Sequence, residues 1–105
     1  MQGSYLKFFV QEKTRHHGKL LYEWLLEEAR RQGLPGGSVF RAVAGYGRHG
    51  QLHEAHFIEL AGELPMEVVF AVSDADADRL LDTLRQAGLD LVYVRIAAEV
   101  GRVGG

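Results

Sequence analysis

A short run of glycine, tyrosine and arginine in the middle of the chain is its strongest chemical signal. Gly45-Tyr46-Gly47-Arg48 follows directly on a β-branched and aromatic stretch. Glycine lets the backbone turn sharply and lets a ligand or a neighbouring chain approach closely, while arginine supplies a cation. The pattern predicts that a strand ends at Gly45 and that a polar loop, residues 48–56, follows. Long polar loops on a small rigid sheet usually carry function.

A second group of basic residues precedes the first helical pattern. Arg15, His17 and Lys19 would lie beside the unpaired N–H groups at the start of that helix. Cations do not stabilise this end of the helix dipole, but a bound anion would be held there by N–H groups and side chains together. Two interpretations stay open, an anion site and a solvated basic loop partly balanced by Glu12.

Three histidines of the polar loop raise the alternative of a metal site. His49, His53 and His56 are separated by three and two residues, and neutral imidazole is a good ligand for zinc or copper. No cysteine joins them, because the chain contains none. We therefore expect no metal site and keep a metal-binding trimer that uses these histidines as the alternative.

Catalytic motifs are missing from the sequence. There is no cysteine nucleophile, no serine in a nucleophile elbow and no Walker-type phosphate loop. The three aspartates at positions 74, 76 and 78 fit the start of a helix better than they fit acid–base chemistry. We expect a protein that is not an enzyme.

Length and composition narrow the class further. The 105 residues predict one domain, and 47% hydrophobic with 25% charged residues is typical of a globular chain. A net charge of −2 gives no general attraction to nucleic acid, so no nucleic-acid partner is expected. No apolar run approaches the ~20 residues that span a bilayer. We expect a cytoplasmic protein with no direct membrane insertion.

Hydrophobic periodicity predicts the elements that position these residues. Strands are predicted at 5–10, 39–44, 66–72 and 91–98, and helices at 18–32 and from Ser73 or Asp74 to Ala87. The order βαββαβ predicts an α+β ferredoxin-like sandwich, with two helices on one face of a four-stranded antiparallel sheet. The first two strands then run parallel, so the basic segment and the base of the polar loop meet at one end.

The second face of this sheet is predicted to be apolar. We expect Tyr5, Phe9 and Tyr93 on it, with Val69 or Ala71 beside them. An exposed apolar face of this size usually marks an interface, so the chain should form an oligomer. The tail, residues 101–105, is expected to be flexible.

Three segments of the chain together resemble the PII-like uncharacterised domain family 190. They run over residues 12–23, 33–47 and 63–65, in the order and spacing of that family, and the likeness extends from Leu6 to Val100. The resemblance implies a ferredoxin-like subunit that assembles as a homotrimer with its sheets facing the centre. It also implies a signalling role exerted on a protein partner, such as a membrane transporter.

The Gly45–Arg48 run is similar, more distantly, to the start of the T-loop in the PII nitrogen-regulatory signal proteins. There a Gly-Phe-Gly-Arg motif opens the loop, and a nucleotide lies between subunits against its base. The resemblance implies that residues 45–48 contact an anionic ligand, with an adenine nucleotide as the candidate cofactor. Asp90 stands where those proteins place a phosphate-binding lysine, so Arg15, His17 or Lys19 would substitute. An oligomeric interaction module without a ligand stays open as an alternative.

Overall fold

The computed structural model of the protein describes residues 1–46, 52–54 and 65–104. Within these ranges eight strands and two helices follow one another along the chain. They are β1 (Gln2–Gln11), β2 (Arg15–His16), β3 (Lys19–Leu20), α1 (Leu21–Arg31), β4 (Ser38–Arg41), β5 (Ala44–Tyr46), β6 (Leu52–Glu54), β7 (Pro65–Ser73), α2 (Asp74–Gln86) and β8 (Val92–Glu99).

Four of the strands form one antiparallel sheet in the order β4-β7-β1-β8. Leu6, Phe8 and Val10 of β1 alternate toward α1 and α2, as an amphipathic strand requires. They pack with apolar residues of both helices and of β7 into one core. The largest fully buried side chains include Phe8, Phe70, Leu25 and Leu80. The predicted ferredoxin-like sandwich is confirmed.

Both helices end where the sequence predicts, at Gly33 and Gly88. Each glycine has a positive φ, +86° and +73° respectively, and each lies in a pair of closing hydrogen bonds. Leu34 N–H donates to the carbonyl of Ala29, and Leu89 N–H donates to that of Leu84. Ser73 caps the start of α2, because its hydroxyl accepts from the N–H of Asp76. Neither of the two described helices is long and apolar enough to cross a membrane.

The start of α1 corrects one prediction. The helix begins at Leu21 rather than Gly18, because residues 15–20 form a small hairpin in which Arg15 pairs with Leu20 and His16 with Lys19. The turn residues His17 and Gly18 both have positive φ, 52° and 78°, which is the geometry of a type I′ turn. A residue with positive φ cannot continue a right-handed helix, so the helix starts only after the hairpin.

The predicted second strand is also divided. β4 ends at Arg41, and the chain re-forms a strand at Ala44 that pairs with β6, with Gly45 opposite His53. Gly45 therefore lies inside an extended strand, and the prediction that the strand ends there in a sharp turn is wrong. Part of the expected 48–56 loop, Leu52–Glu54, is strand. The sequence also predicts that residues 57–60 extend a hairpin, and these residues lie outside the described ones.

The face of β8 that points away from the helices differs from the prediction. Tyr93 lies opposite Phe8, and their ring centroids are 6.2 Å apart, so Tyr93 belongs to the helix side of the sheet. Val92, Val94 and Ile96 lie on the open side instead, 40–58% exposed. The reason is that β8 is an edge strand where the helix layer is thin. Long amphipathic side chains fill that border; Arg95, for example, reaches Ser4 and Asp78.

Residues 101–104 follow β8 and are exposed, with a turn at residues 103–104. The expected flexibility of the tail stays a prediction, as does the extent of the single domain over residues 1–105.

Two adjacent glycines before β4 offer a test of the packing. A Cβ on Gly37 would lie 2.5 Å from the Phe70 ring, whereas a Cβ on Gly36 would meet none of the described residues within 4 Å. Since Phe70 is buried and has no room to move, Gly37→Ala should lower the free energy of unfolding by about 1–3 kcal/mol. Gly36→Ala is the matched control and should leave it within about 0.5 kcal/mol. Urea unfolding followed by circular dichroism measures both, and equal effects would contradict this packing.

Candidate functional site

An ion pair joins the two segments that the sequence predicts to meet at one end of the sheet. Arg41 is the last residue of β4, and its Nη2 lies 2.9 Å from Oε2 of Glu12, which follows β1. The contact is close but not aligned as a hydrogen bond, since that carboxylate oxygen has no hydrogen-bond partner among the described residues. Glu12 thus compensates Arg41. Among the described residues, Glu12 forms its ion pair with Arg41 and not with the basic residues that follow it.

The hairpin β2–β3 carries the three predicted cations at the start of α1. Arg15 Nη1 donates to the carbonyl of Gly18 at 2.9 Å, across the turn. Lys19 forms an ion pair with Glu27 of α1, and both side chains stay more than half exposed. His17 is exposed in the turn itself. The side chain of Lys19 is therefore already held by α1, and that of Arg15 contacts the turn of its own hairpin, while His17 is exposed.

The glycine–tyrosine run lies only partly within the described residues. Gly45 and Tyr46 belong to β5, which follows β4 after two residues. Among the described residues, none has an atom within 4 Å of a Cβ placed on Gly45. Gly47 and Arg48 lie outside the described residues, as do His49 and His56. For His53 the structure describes only the backbone pairing with Gly45.

The turn after α2 reaches the same end of the sheet. Val92 at the start of β8 lies opposite Phe9 near the end of β1, so the preceding residues 88–90 lie at that end. Leu89 packs against the core, and Asp90 is exposed. Asp90 therefore adds a negative charge to the edge at which the predicted cations lie, and a bound anion would have to keep away from it.

His16 and Trp24 form a contact that the sequence pattern did not indicate. The His16 ring meets the Trp24 ring edge-on, with centroids 4.5 Å apart, and the His17 ring lies 4.1 Å away on the hairpin. Nε2 of His16 is enclosed and has no hydrogen-bond partner among the described residues. The sequence feature that could have indicated this contact is the His17-Gly18 pair. Such a pair can form a two-residue hairpin turn, which folds His16 back onto α1.

Beside this contact lies a shallow cavity of about 230 Å³ on the outer face of α1. It is lined by Lys19, Trp24, Glu27, Glu28 and Arg31. Its charges are matched within it, because Lys19 pairs with Glu27 and Arg31 pairs with Glu28. Glu28 is buried, and the hydrogen bond from Arg31 lowers the pKa of its carboxyl, with a smaller contribution from Gln32. Within the described part of the chain, Lys19 is the one predicted site residue that lines this cavity. The cavity is therefore a different place from the edge formed by the ends of β1 and β4.

Comparison with known proteins places this chain in a family. The model of an uncharacterised protein family, DUF190 (Uncharacterized ACR), matches residues 3–99. The chain belongs to the DUF190 family. A UPF0166 protein of Aquifex aeolicus is 34% identical over 80 residues, which cover 76% of each chain. A UPF0166 protein of Methanocaldococcus jannaschii is 25% identical over 84 residues, covering 80% of this chain and 77% of the relative.

Solved structures share the fold of this DUF190 protein. CPII, a nitrogen regulatory PII-like protein from Thiomonas intermedia K12 solved with ADP, AMP and bicarbonate, superposes with a TM-score of 0.68. The two are 20% identical, and the match covers 97% of this chain and 91% of CPII. A second CPII structure, bound to ADP and bicarbonate, gives a TM-score of 0.65 at 21% identity, with the same coverage. The predicted PII-like fold is confirmed.

Proposed function

We propose that this DUF190 protein is a PII-like regulatory protein, not an enzyme, that binds a small anionic ligand between the subunits of a homotrimer. The observation that carries the proposal is the common edge at which β1 and β4 end, joined by Glu12 and Arg41. The hairpin with Arg15 and His17 and the base of the Gly45–Arg48 run both continue from that edge. An adenine nucleotide is the leading candidate ligand, and the PII-like fold shared with the ADP- and AMP-bound CPII supports it.

The energetics favour a site shared between subunits. A helix terminus contributes about 0.3–1 kcal/mol to an anion, whereas micromolar affinity needs about 8 kcal/mol. Among the described residues, Arg41 at this edge is paired with Glu12 and Lys19 is paired with Glu27, and Asp90 opposes an anion. A second subunit brought against the edge would supply further donors and would exclude water, which strengthens each charged contact.

The open side of the sheet supports the assembly on which such a site depends. Val92, Val94, Ile96 and Phe9 leave apolar surface exposed there, 40–58% for each side chain. Exposed apolar patches of this kind mark protein–protein contacts. We infer that the sheets of three subunits cover one another, and that the ligand state is reported to a protein partner, such as a membrane transporter, through residues 48–56.

A ligand screen tests the proposal. Thermal shift and calorimetry would compare five compounds: ATP, ADP, AMP, a cyclic nucleotide and bicarbonate. Each would be added alone, and each nucleotide would also be added together with bicarbonate. At 100 times its dissociation constant, a bound ligand should add about 2.7 kcal/mol of stability per site. Zinc serves as the comparison for the metal alternative, which predicts a shift that disappears when His49, His53 and His56 are replaced together. The absence of heat and of any shift with all of the anions would favour an interaction module without a ligand.

Arg48→Ala should weaken the phosphate-bearing ligand found in that screen. Removing a charge-assisted hydrogen bond costs about 1.5–3 kcal/mol, roughly a tenfold to hundredfold loss of affinity. Gly47→Val should weaken it as well, because a side chain would block the approach of the ligand to the backbone. Calorimetry of both variants measures the effect, and the affinity of the wild type should also fall with added salt.

The control for Arg48→Ala removes the same charge at the opposite end of the molecule. Arg30 is exposed in the last turn of α1, whose first turn lies at the proposed site. Arg30→Ala should leave the affinity unchanged within twofold. Equal losses in the two variants would indicate a general charge effect and would remove Arg48 from the proposed site.

A further inference from the structure

We propose that the hairpin β2–β3 is a pH-sensitive element, which stays docked on Trp24 while His16 is neutral and is released when His16 takes up a proton. The proposal concerns the folded chain without any ligand, so it does not depend on the proposed function. It starts from one contact, the edge-on packing of the His16 ring against the Trp24 ring with centroids 4.5 Å apart.

The surroundings of His16 accept a neutral ring and disfavour a charged one. Nε2 is enclosed and has no hydrogen-bond partner among the described residues, so a proton added there would create a charge without a close acceptor. Burial lowers the pKa of His16, and the charge of His17 lowers it further. His16 is therefore neutral near pH 7, and the cost arises only when the pH falls.

Among the described residues, the charged groups around His16 are either paired with another group or exposed to solvent. The hairpin carries the basic residues Arg15, His17 and Lys19. Helix α1 carries the carboxylates Glu23, Glu27 and Glu28. Glu27 pairs with Lys19, and Glu28 pairs with Arg31. Glu23 is exposed in the first turn of α1. In the preceding loop, Glu12 pairs with Arg41, and Lys13 is a further exposed cation.

The hairpin is a unit small enough to move by itself. It has two residues in each strand, and its ends are joined by one backbone hydrogen bond, from Leu21 N–H to the carbonyl of Thr14 at 2.7 Å. A two-stranded hairpin of this size is not stable alone and depends on its packing. Lys19 also reaches α1, but its ion pair with Glu27 is more than half exposed and contributes little. Loss of the contact with Trp24 would therefore release the hairpin and leave the β4-β7-β1-β8 sheet intact.

The chain contains a single tryptophan, which makes Trp24 a direct reporter. Between pH 8.5 and 4.5 its emission should shift to longer wavelength in one step, with a midpoint below 6.5, the ordinary pKa of histidine. Far-UV circular dichroism should stay constant through that step. In terms of linkage, the unfolded chain binds the His16 proton more readily, so the stability of the docked state decreases as pH falls below 6.5 toward the lowered pKa.

Two variants separate His16 from its neighbour. His16→Gln should abolish the step, because the titrating group is gone. His17→Gln is the matched control and should keep the step but move its midpoint upward, since the like charge beside His16 is removed. A step that persists unchanged in His16→Gln overturns the proposal, as does its absence in the wild type.

Two further outcomes are decisive. Loss of intensity without a shift to longer wavelength would mean that His16 titrates in place while Trp24 stays covered, and this overturns release of the hairpin. Should His16→Gln fail to fold, the imidazole proton resonance of His16 can be titrated by NMR in the wild type. A pKa at or above 6.5 there would show that a counter-ion stabilises the charged ring, and the proposal would fall.

Discussion

Replacing Phe8 with alanine should lower the free energy of unfolding by about 3–5 kcal/mol, the range for truncating a buried aromatic side chain. Phe8 is 1% exposed, and its ring packs edge-on against Phe70 with centroids 6.2 Å apart. Removing it leaves a cavity between β1, β7 and the helices that the rigid neighbours cannot fill. Because domains of this size have about 5–15 kcal/mol of stability, the variant should be close to unfolding. Equilibrium unfolding in urea measures the loss.

The adjacent residue provides the control, because successive side chains of a strand point to opposite faces. Phe9 is 41% exposed on the open side of the sheet. Phe9→Ala should therefore spare the core. It should weaken the rise of the melting temperature with protein concentration, because that rise reports assembly. Phe8→Ala should lower the melting temperature equally at all concentrations. The reverse pattern would mean that the two faces of β1 have been assigned wrongly.

Ile96→Asp should convert the proposed trimer into monomers. Ile96 is 53% exposed on the open side of β8, opposite Tyr5 of β1, so the substitution is tolerable in a single subunit. In a trimer whose sheets cover one another, it would bury an unpaired carboxylate in each subunit, at several kcal/mol apiece. Light scattering at micromolar concentration should give the mass of three chains for the wild type and of one chain for the variant.

The open side already contains charge that an assembly can bury. Lys7 and Glu67 form an ion pair there, and the hydrogen bond from Lys7 to Glu67 raises the pKa of Lys7. A matched pair is compatible with an interface, whereas a single carboxylate is not. The control is Ala75→Asp, which adds the same charge in the exposed first turn of α2. A monomeric wild type would contradict the assembly, and an assembled Ile96→Asp would move the interface to another surface.

The βαββαβ order of the main elements, the ends of both helices and the fold class could be predicted from the sequence because each depends on local patterns. Alternation of Leu6, Phe8 and Val10 marks one face of a strand whatever lies beside it. Gly33 and Gly88 end their helices because only glycine adopts positive φ without cost. Ser73 caps α2 through its own hydroxyl. The resemblance of the chain to its family rests on the same local segments, and the family match confirms it.

The side of β8 that faces the helices was decided by the tertiary structure. Both sets of alternating residues in β8 include apolar side chains, so periodicity alone favours the aliphatic set for the core. The register with β1 places Tyr93 against Phe8 and leaves Val94 and Ile96 outside. At an edge strand the helix layer ends, and Arg95 can bond there to groups such as Ser4 and Asp78, which lie far from it in the chain.

The candidate site shows the same division between local and distant information. Its residue types could be read from the sequence, but their partners could not, because Glu12 and Arg41 are brought together only by parallel strands that are separated along the chain. The hairpin at residues 15–20 has too few residues to declare itself by periodicity, and it is held by the packing of His16 on Trp24. Local patterning thus determined the elements, whereas contacts between elements decided which charges are paired and which histidine is enclosed.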